Sequence, residues 1–505
     1  MSGPSLRSAL AWLLLPALVL AAAWWLLPGQ GQEKVPAAPT VPLTYRGVEL
    51  QARTIETSAG ERFEFAHAKL EVPEVRAKPN SRALSIGFAV IPKRPDAGDV
   101  PVFLVAGGPG SSYIKRIEEP WLQDMIALLR RVGDVVLVDL RGIHSSTPNF
   151  RLGGVERKFR VIGDRERFDT LLHDAGAAGR EKLLRDGFDL DGYVVTEAAA
   201  DIIAVADTLG YEKIHMQGTS FGSHLTFTTV REYPHRVDRF LVSGLEGYDH
   251  TFDDGREVLK ALQLIAGETH EVWAGAHDAS DPLAALQALA ARAAEDPKDA
   301  FGLREHEVLS VFTSGELFGF DYRLSNRQHM AGWPAAVDQL LKGKRTWRAW
   351  WVRRLAGFAV GRFPAEAAVG LFDCSSAISR SRRLELEASA PPHFPDDLRQ
   401  MDALCRGWSV APLPADFQAG TRSDVPGLFV HGTYDVSTPY ANATQMLAQF
   451  PNASLVTVVG GSHAALTEAI GNDAAFGPAL VAWFNGGAAP GEVRLAPLRF
   501  DPLSP

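Results

Sequence analysis

Read for its apolar and polar positions, the chain changes character twice. FEFAHAKLEV and ALSIGFAVIP, between Phe63 and Pro92, alternate with a period of two around KPNS, which predicts a hairpin or meander. PVFLVAG (101–107) and GDVVLVDLRG (133–142) are short, continuous apolar runs, the pattern of strands buried on both faces. KIHMQG (213–218) and DRFLVSGL (238–245) repeat it. Between these runs, residues 120–131, 194–210 and 221–234 have helical periodicity, the second ending on Gly210. From about 250 to 415 the chain turns helical, as in PLAALQALAARAAEDP and TWRAWWVRRLAGFAV. Strand-like runs return only at VPGLFVHG (425–432) and SLVTVVGG (454–461).

Strands separated by helices predict an α/β fold, a mostly parallel sheet covered by helices. The late strands need a sheet to join, so the helical stretch reads as an insertion between core strands. The expected division is 1–45 as a leader plus linker, 46–249 and 416–490 as two parts of one core, 250–415 as a helical cap, and 491–505 as a surface tail.

The first residues alter this picture. After MSGPSLRS, Ala9 to Leu27 is an apolar run broken only by Pro16, with a polar linker behind it. It reads as a cleaved signal peptide, a single membrane-attached helix or a buried helix; the first two place the chain in the periplasm or outside the cell. Composition changes less. With 46% hydrophobic and 22% charged residues and a net charge of -9, the chain can fill a large core but offers no basic stripe for nucleic acid. No metal or organic cofactor is implied by residue spacing. Its two cysteines, Cys374 and Cys405, would pair in an exported protein; the other reading is two buried thiols.

The candidate chemistry sits where strands end. Gly218-Thr-Ser220-Phe-Gly222 lies between a strand and a helix, the arrangement of a nucleophile elbow, although Ser220 could instead only cap the helix. Asp435, in LFVHGTYDVSTP, and His463, in VVGGSHAALTEA, follow the two late strands. The order Ser220, Asp435, His463 suits a serine hydrolase in which His463 is the base and Asp435 orients it. In VAGGPGSSY, the N–H of Gly107 or Gly108, with that of Phe221, would hold an oxyanion; a plain Gly-Pro turn is the other reading.

GGPG, DLRG (139–142), the elbow and the late Asp and His together resemble the α/β-hydrolase peptidases around proline iminopeptidase and the secreted tripeptidyl aminopeptidases. The resemblance covers about residues 65–475 and is loose through the insertion. It implies an α/β-hydrolase fold, release of residues from the free amino terminus of short peptides through an acyl-enzyme, and a Cys374–Cys405 disulfide. Ala106 and His144 depart from the family pattern, the latter where a glycine is usual. Glu246, with Asp249 behind it, is the candidate for holding a substrate amine; the other reading of each is a loop acid. Trp333, Trp347, Trp350 and Trp351 either line a side-chain pocket or pack helices. Carboxylester hydrolysis on small esters is the competing activity, because a triad does not choose between amide and ester. A non-catalytic binding protein on this fold comes third.

Overall fold

The computed structural model describes residues 40–57, 60–150, 165–296, 327–342, 367–394 and 397–503, with 305 and 308. Eleven strands form one sheet in the order β1-β2-β3-β4-β6-β5-β7-β8-β9-β10-β11. The first four, β1 (Val41–Tyr45), β2 (Val48–Glu56), β3 (Arg62–Pro73) and β4 (Ala83–Ile91), form an antiparallel meander. It joins β6 (Val135–Val138) antiparallel. From there β5 (Val102–Val105), β7 (Ile214–Ser220), β8 (Val237–Leu245), β9 (Gly427–Gly432), β10 (Ala453–Val459) and β11 (Val493–Arg494) run parallel.

The apolar runs are explained by this layering. In β5, Phe103 and Val105 enter the core on one face of the sheet, whereas Val102 and Leu104 enter the core on the other. A strand covered on both sides has no polar face to display, so its sequence does not alternate. The helices Val195–Thr208 and Phe221–Glu232 cover the first face; Pro120–Leu129 and Phe476–Phe484 cover the second.

The helical insertion leaves the sheet after β8 and returns at β9, giving the α/β-hydrolase fold with a cap. Its described helices include Gly255–Gly267, Pro282–Glu295 and Trp333–Leu341, which share a third core around Trp273, Leu286 and Trp333. Trp333 is fully buried there and packs helices; Trp347, Trp350 and Trp351 lie outside the described residues. The disulfide Cys374–Cys405, with Cα atoms 5.2 Å apart, ties the start of the returning cap segment to helix Asp397–Trp408.

Two boundaries shift. The stretch read as linker up to residue 45 already contains β1, which pairs residue for residue with β2. The expected surface tail adds β11 to the sheet edge, and beyond it the Leu498 N–H donates to Glu268 Oε2 at 2.8 Å and the Asp501 N–H to Ala331 O at 2.9 Å. The expectation of export with attachment through Ala9 to Leu27 is also corrected. No helix among the described residues is long and apolar enough to cross a membrane, and that run lies outside them, so neither export nor attachment is carried forward.

Candidate active site

The elbow is built by glycines. β7 ends at Ser220, whose φ of 57° and ψ of −131° are strained for a side-chain-bearing residue. A Cβ on Gly218 would stand 2.0 Å from Gly222 O, and one on Gly222 would stand 2.4 Å from Val105 O. Only glycines let the chain reverse this tightly against β5. Ser220 Oγ accepts no N–H from the helix it precedes, so it does not act as a capping serine. Its neighbour Ser223 Oγ instead donates to Ser220 O at 2.6 Å, bracing the strained peptide.

The GGPG loop lies directly on the elbow. A Cβ at Gly107 would come 2.8 Å from both Ser220 Cβ and Thr219 O, and 3.4 Å from Ser220 Oγ. Gly107 and the buried first residue of the helix, Phe221, thus flank the nucleophile. Gly108 has φ +122°, a backbone state that side chains rarely take. The DLRG motif supports this loop. Asp139 accepts Ser145 N–H at 3.0 Å and also bonds Ser112 of the loop; burial pushes its carboxyl up, against these hydrogen bonds. Arg141 is fully buried, donating to Asp201, Glu74 O and Gly192 O. Downstream, His144 takes φ +37°, so the left-handed turn persists there without glycine.

The late strands deliver the other two groups. Asp435, after β9, is wholly buried, and its carboxylate meets His463 Nδ1 at 2.9 Å and 3.1 Å. Its Oδ1 accepts the Ser437 and Thr438 N–H groups, both at 2.9 Å, and its Oδ2 accepts Thr438 Oγ1–H at 2.9 Å. Burial raises the Asp435 pKa, but the His463 charge and hydrogen bond, with His431 and Thr438 N–H, hold it below the ordinary carboxylate value. A carboxylate fixed on Nδ1 leaves Nε2 as the basic nitrogen of His463. The strand end of β8 meets the same imidazole: a Cβ at Gly244, which has φ +53°, would be 2.7 Å from His463 Cε1. The adjacent Leu245 is register partner to Ser220, so nucleophile and base occupy one end of the sheet.

Glu246 follows immediately. Its N–H donates to Ser223 Oγ at 2.8 Å, and its carboxyl is pushed well above the ordinary value, first by burial and then by the charge of Asp373. Asp249 is placed otherwise: both of its oxygens accept from Ser379, one from N–H and one from Oγ–H, which ties the loop to the cap. Three contributors escaped the sequence reading. Thr438 braces Asp435 from three residues away; fully buried His431 donates from Nε2 to Thr438 O at 2.8 Å and accepts Leu245 N–H at 3.2 Å. Asp373, in the cap, raises the Glu246 carboxyl through its charge. The first two had a signal in the short HGTYDVST stretch, but Asp373 lies over a hundred residues from Glu246 in sequence and had none.

Residues 100–264 match a family model described as alpha/beta hydrolase fold, and residues 391–493 one described as TAP-like protein. Among solved structures, the chain is similar to a serine hydrolase of Cycloclasticus zankles, at 14% identity over 83% of this chain and 98% of that one, with a TM-score of 0.35. It is also similar to a thermophilic esterase from Thermogutta terrifontis, at 13% identity over 83% and 98%, with a TM-score of 0.36. The 2-hydroxy-6-oxo-6-phenylhexa-2,4-dienoate hydrolase of Rhodococcus sp. strain RHA1 gives 16% identity over 83% and 99%, with a TM-score of 0.37.

The chain is a serine hydrolase of the α/β-hydrolase fold. The narrower resemblance to proline iminopeptidase and the tripeptidyl aminopeptidases is corrected by these matches. The model covering the elbow describes the fold at large, and the TAP-like match is confined to residues 391–493. With it go the aminopeptidase activity and the short peptide substrates.

Proposed function

We propose that the chain is a carboxylesterase acting on small esters through an acyl-enzyme on Ser220. The observation that carries the acyl-enzyme is the Asp435–His463 pair at the sheet end where strained Ser220 meets the GGPG loop; the triad itself does not choose ester over amide, and hydrolysis of ester substrates tests that choice. Ser220 Oγ attacks the ester carbonyl while His463 Nε2 takes its proton. The carbonyl oxygen gains negative charge between the Gly107 or Gly108 N–H and that of Phe221. Collapse of this intermediate breaks the ester bond, and His463 returns the proton to the departing alcohol. Water, deprotonated by His463, then attacks the acyl-enzyme, and the acid leaves. Asp435 keeps the imidazole in the useful tautomer and stabilises its charged form.

Glu246, with Asp373, gives the pocket a preference for esters that carry a protonated amine. The charge of Asp373 makes ionisation of Glu246 costly, and a cation between the two carboxyls relieves the conflict. Asp249 is not part of this pair: it is tied to Ser379 of the cap, each of its oxygens keeping a lone pair to spare.

The test is hydrolysis of p-nitrophenyl butyrate, alanine p-nitrophenyl ester and its N-acetyl form by the protein and by Ser220→Ala. Turnover of all three esters, strongest for the free amine and absent in the variant, is expected. Failure on every ester would sink the esterase reading; equal turnover of the two alanine esters would sink only the amine preference.

A further inference from the structure

A second pocket lies at the seam between cap and core, away from the triad. It is a cavity of about 270 Å³ lined by Asp249 and His250 of the loop after β8, Arg382 and Glu385 of the cap helix Arg380–Ser389, and Gln445 and Gln449 of the core. Neither Ser220, Asp435, His463 nor Glu246 lines it.

Arg382 is only 6% exposed. Its Nη1 donates to Glu385 Oε2 at 3.2 Å, but its Nε–H is buried and has no hydrogen-bond partner among the described residues. The buried Gln449 Oε1 has none either. An unmatched guanidinium N–H is expensive to bury and is a ready donor to a carboxylate. The remaining polar groups are already assigned. The Gly247 N–H donates to His250 Nδ1, so His250 donates from Nε2 to Gln445 Oε1 at 2.8 Å, which leaves the Gln445 amide N–H groups as donors.

Charge narrows the ligand further. Arg256 bonds Asp254 and Glu385, and Arg382 bonds Glu385, so Asp249 is the acid on this wall that accepts no arginine hydrogen bond, although the charge of Arg382 reaches it. A simple anion on Arg382 would face the Asp249 and Glu385 carboxylates. A simple cation on those carboxylates would leave the Arg382 Nε–H unmatched. A molecule bearing both charges answers both walls at once.

We propose that this cavity binds a small zwitterion of the α-amino acid type, its carboxylate on Arg382 Nε and its ammonium on Asp249 and Glu385. The proposal is independent of the ester reading, because none of the groups it uses belongs to the triad. An occupant bridges the cap helix and the loop that begins at Glu246, so it clamps the cap against the core.

The test is calorimetric titration of the whole protein with L-alanine and with its two halves, propionate and ethylammonium. One L-alanine per chain is expected, with both halves weaker by about tenfold or more, the usual worth of one charge-assisted contact. Arg382→Gln should weaken L-alanine about tenfold while leaving p-nitrophenyl ester hydrolysis and Tm near the parent's. Glu246→Gln should leave L-alanine binding unchanged, which separates this cavity from the catalytic pocket. If Arg382→Gln does not fold, Arg382→Lys, which keeps the charge but removes the unmatched Nε–H, should weaken binding in its place. No L-alanine binding, binding indifferent to both variants, binding lost in Glu246→Gln, or propionate binding as tightly as L-alanine would each overturn the proposal.

Discussion

Ser220 stores strain of about 1–3 kcal/mol in its backbone, held by the packing of β7 and the helix that follows. That strain presents Oγ to the pocket, and what makes it a nucleophile is the ordered His463. Asp435→Asn keeps the shape of the side chain but lets the imidazole take the wrong tautomer. Ester turnover should fall by about 10³–10⁴-fold in kcat, with the far-ultraviolet circular dichroism unchanged. Glu246 gives the pH prediction. Its folded pKa is raised, so the folded protein holds a proton that the unfolded chain gives up, and stability is fully present below the ordinary glutamate value. It is lost as pH rises through the folded value. Glu246→Gln removes this loss: the variant's Tm should exceed the parent's at pH 8 by more than at pH 4, measured by scanning calorimetry in matched buffers. Its KM for alanine p-nitrophenyl ester should rise while that for p-nitrophenyl butyrate stays near the parent value.

The elbow is a contact among three elements, β5, β7 and the helix from Phe221, and its tolerances are tight. Gly222→Ala drives a methyl into Val105 O and should cost about 1–3 kcal/mol in urea unfolding. Gly107→Ala pushes the GGPG loop off Ser220 and should lower kcat about 10²-fold with KM little changed, because the oxyanion contact is made mainly in the transition state. These elements were legible in the sequence because each speaks locally: apolar runs for buried strands, glycines for turns, a polar residue at a strand end. β1 was not legible, since VPLTY is short, contains proline and lies at the sheet edge, where burial does not impose a pattern. Asp373 was illegible for another reason. Its partner is chosen by how the cap folds over the core, and no periodicity records that.

At the scale of the molecule, the cap is held at both ends. One hold is the Cys374–Cys405 disulfide, which closes a loop of 31 residues and follows Asp373 directly. Replacing both cysteines by serine should cost about 3 kcal/mol of stability in denaturant unfolding. It should also raise KM for alanine p-nitrophenyl ester more than for p-nitrophenyl butyrate, since Asp373 loses its fixed place. The other hold is the chain's end. Tyr434 and Leu498 both donate to Glu268, and Arg327 donates to Gly460 O and Ala496 O, so the last residues strap cap to core.

The cap's position between β8 and β9 also sets a clock on the newborn chain. Ser220 leaves the ribosome 243 residues before His463, roughly 10–50 s at ordinary rates of synthesis. For most of that interval β8 lacks its neighbour β9 and the nucleophile lacks its acid, and for all of it the base is missing. The enzyme is therefore born inert and becomes reactive only once nearly all of it has been made.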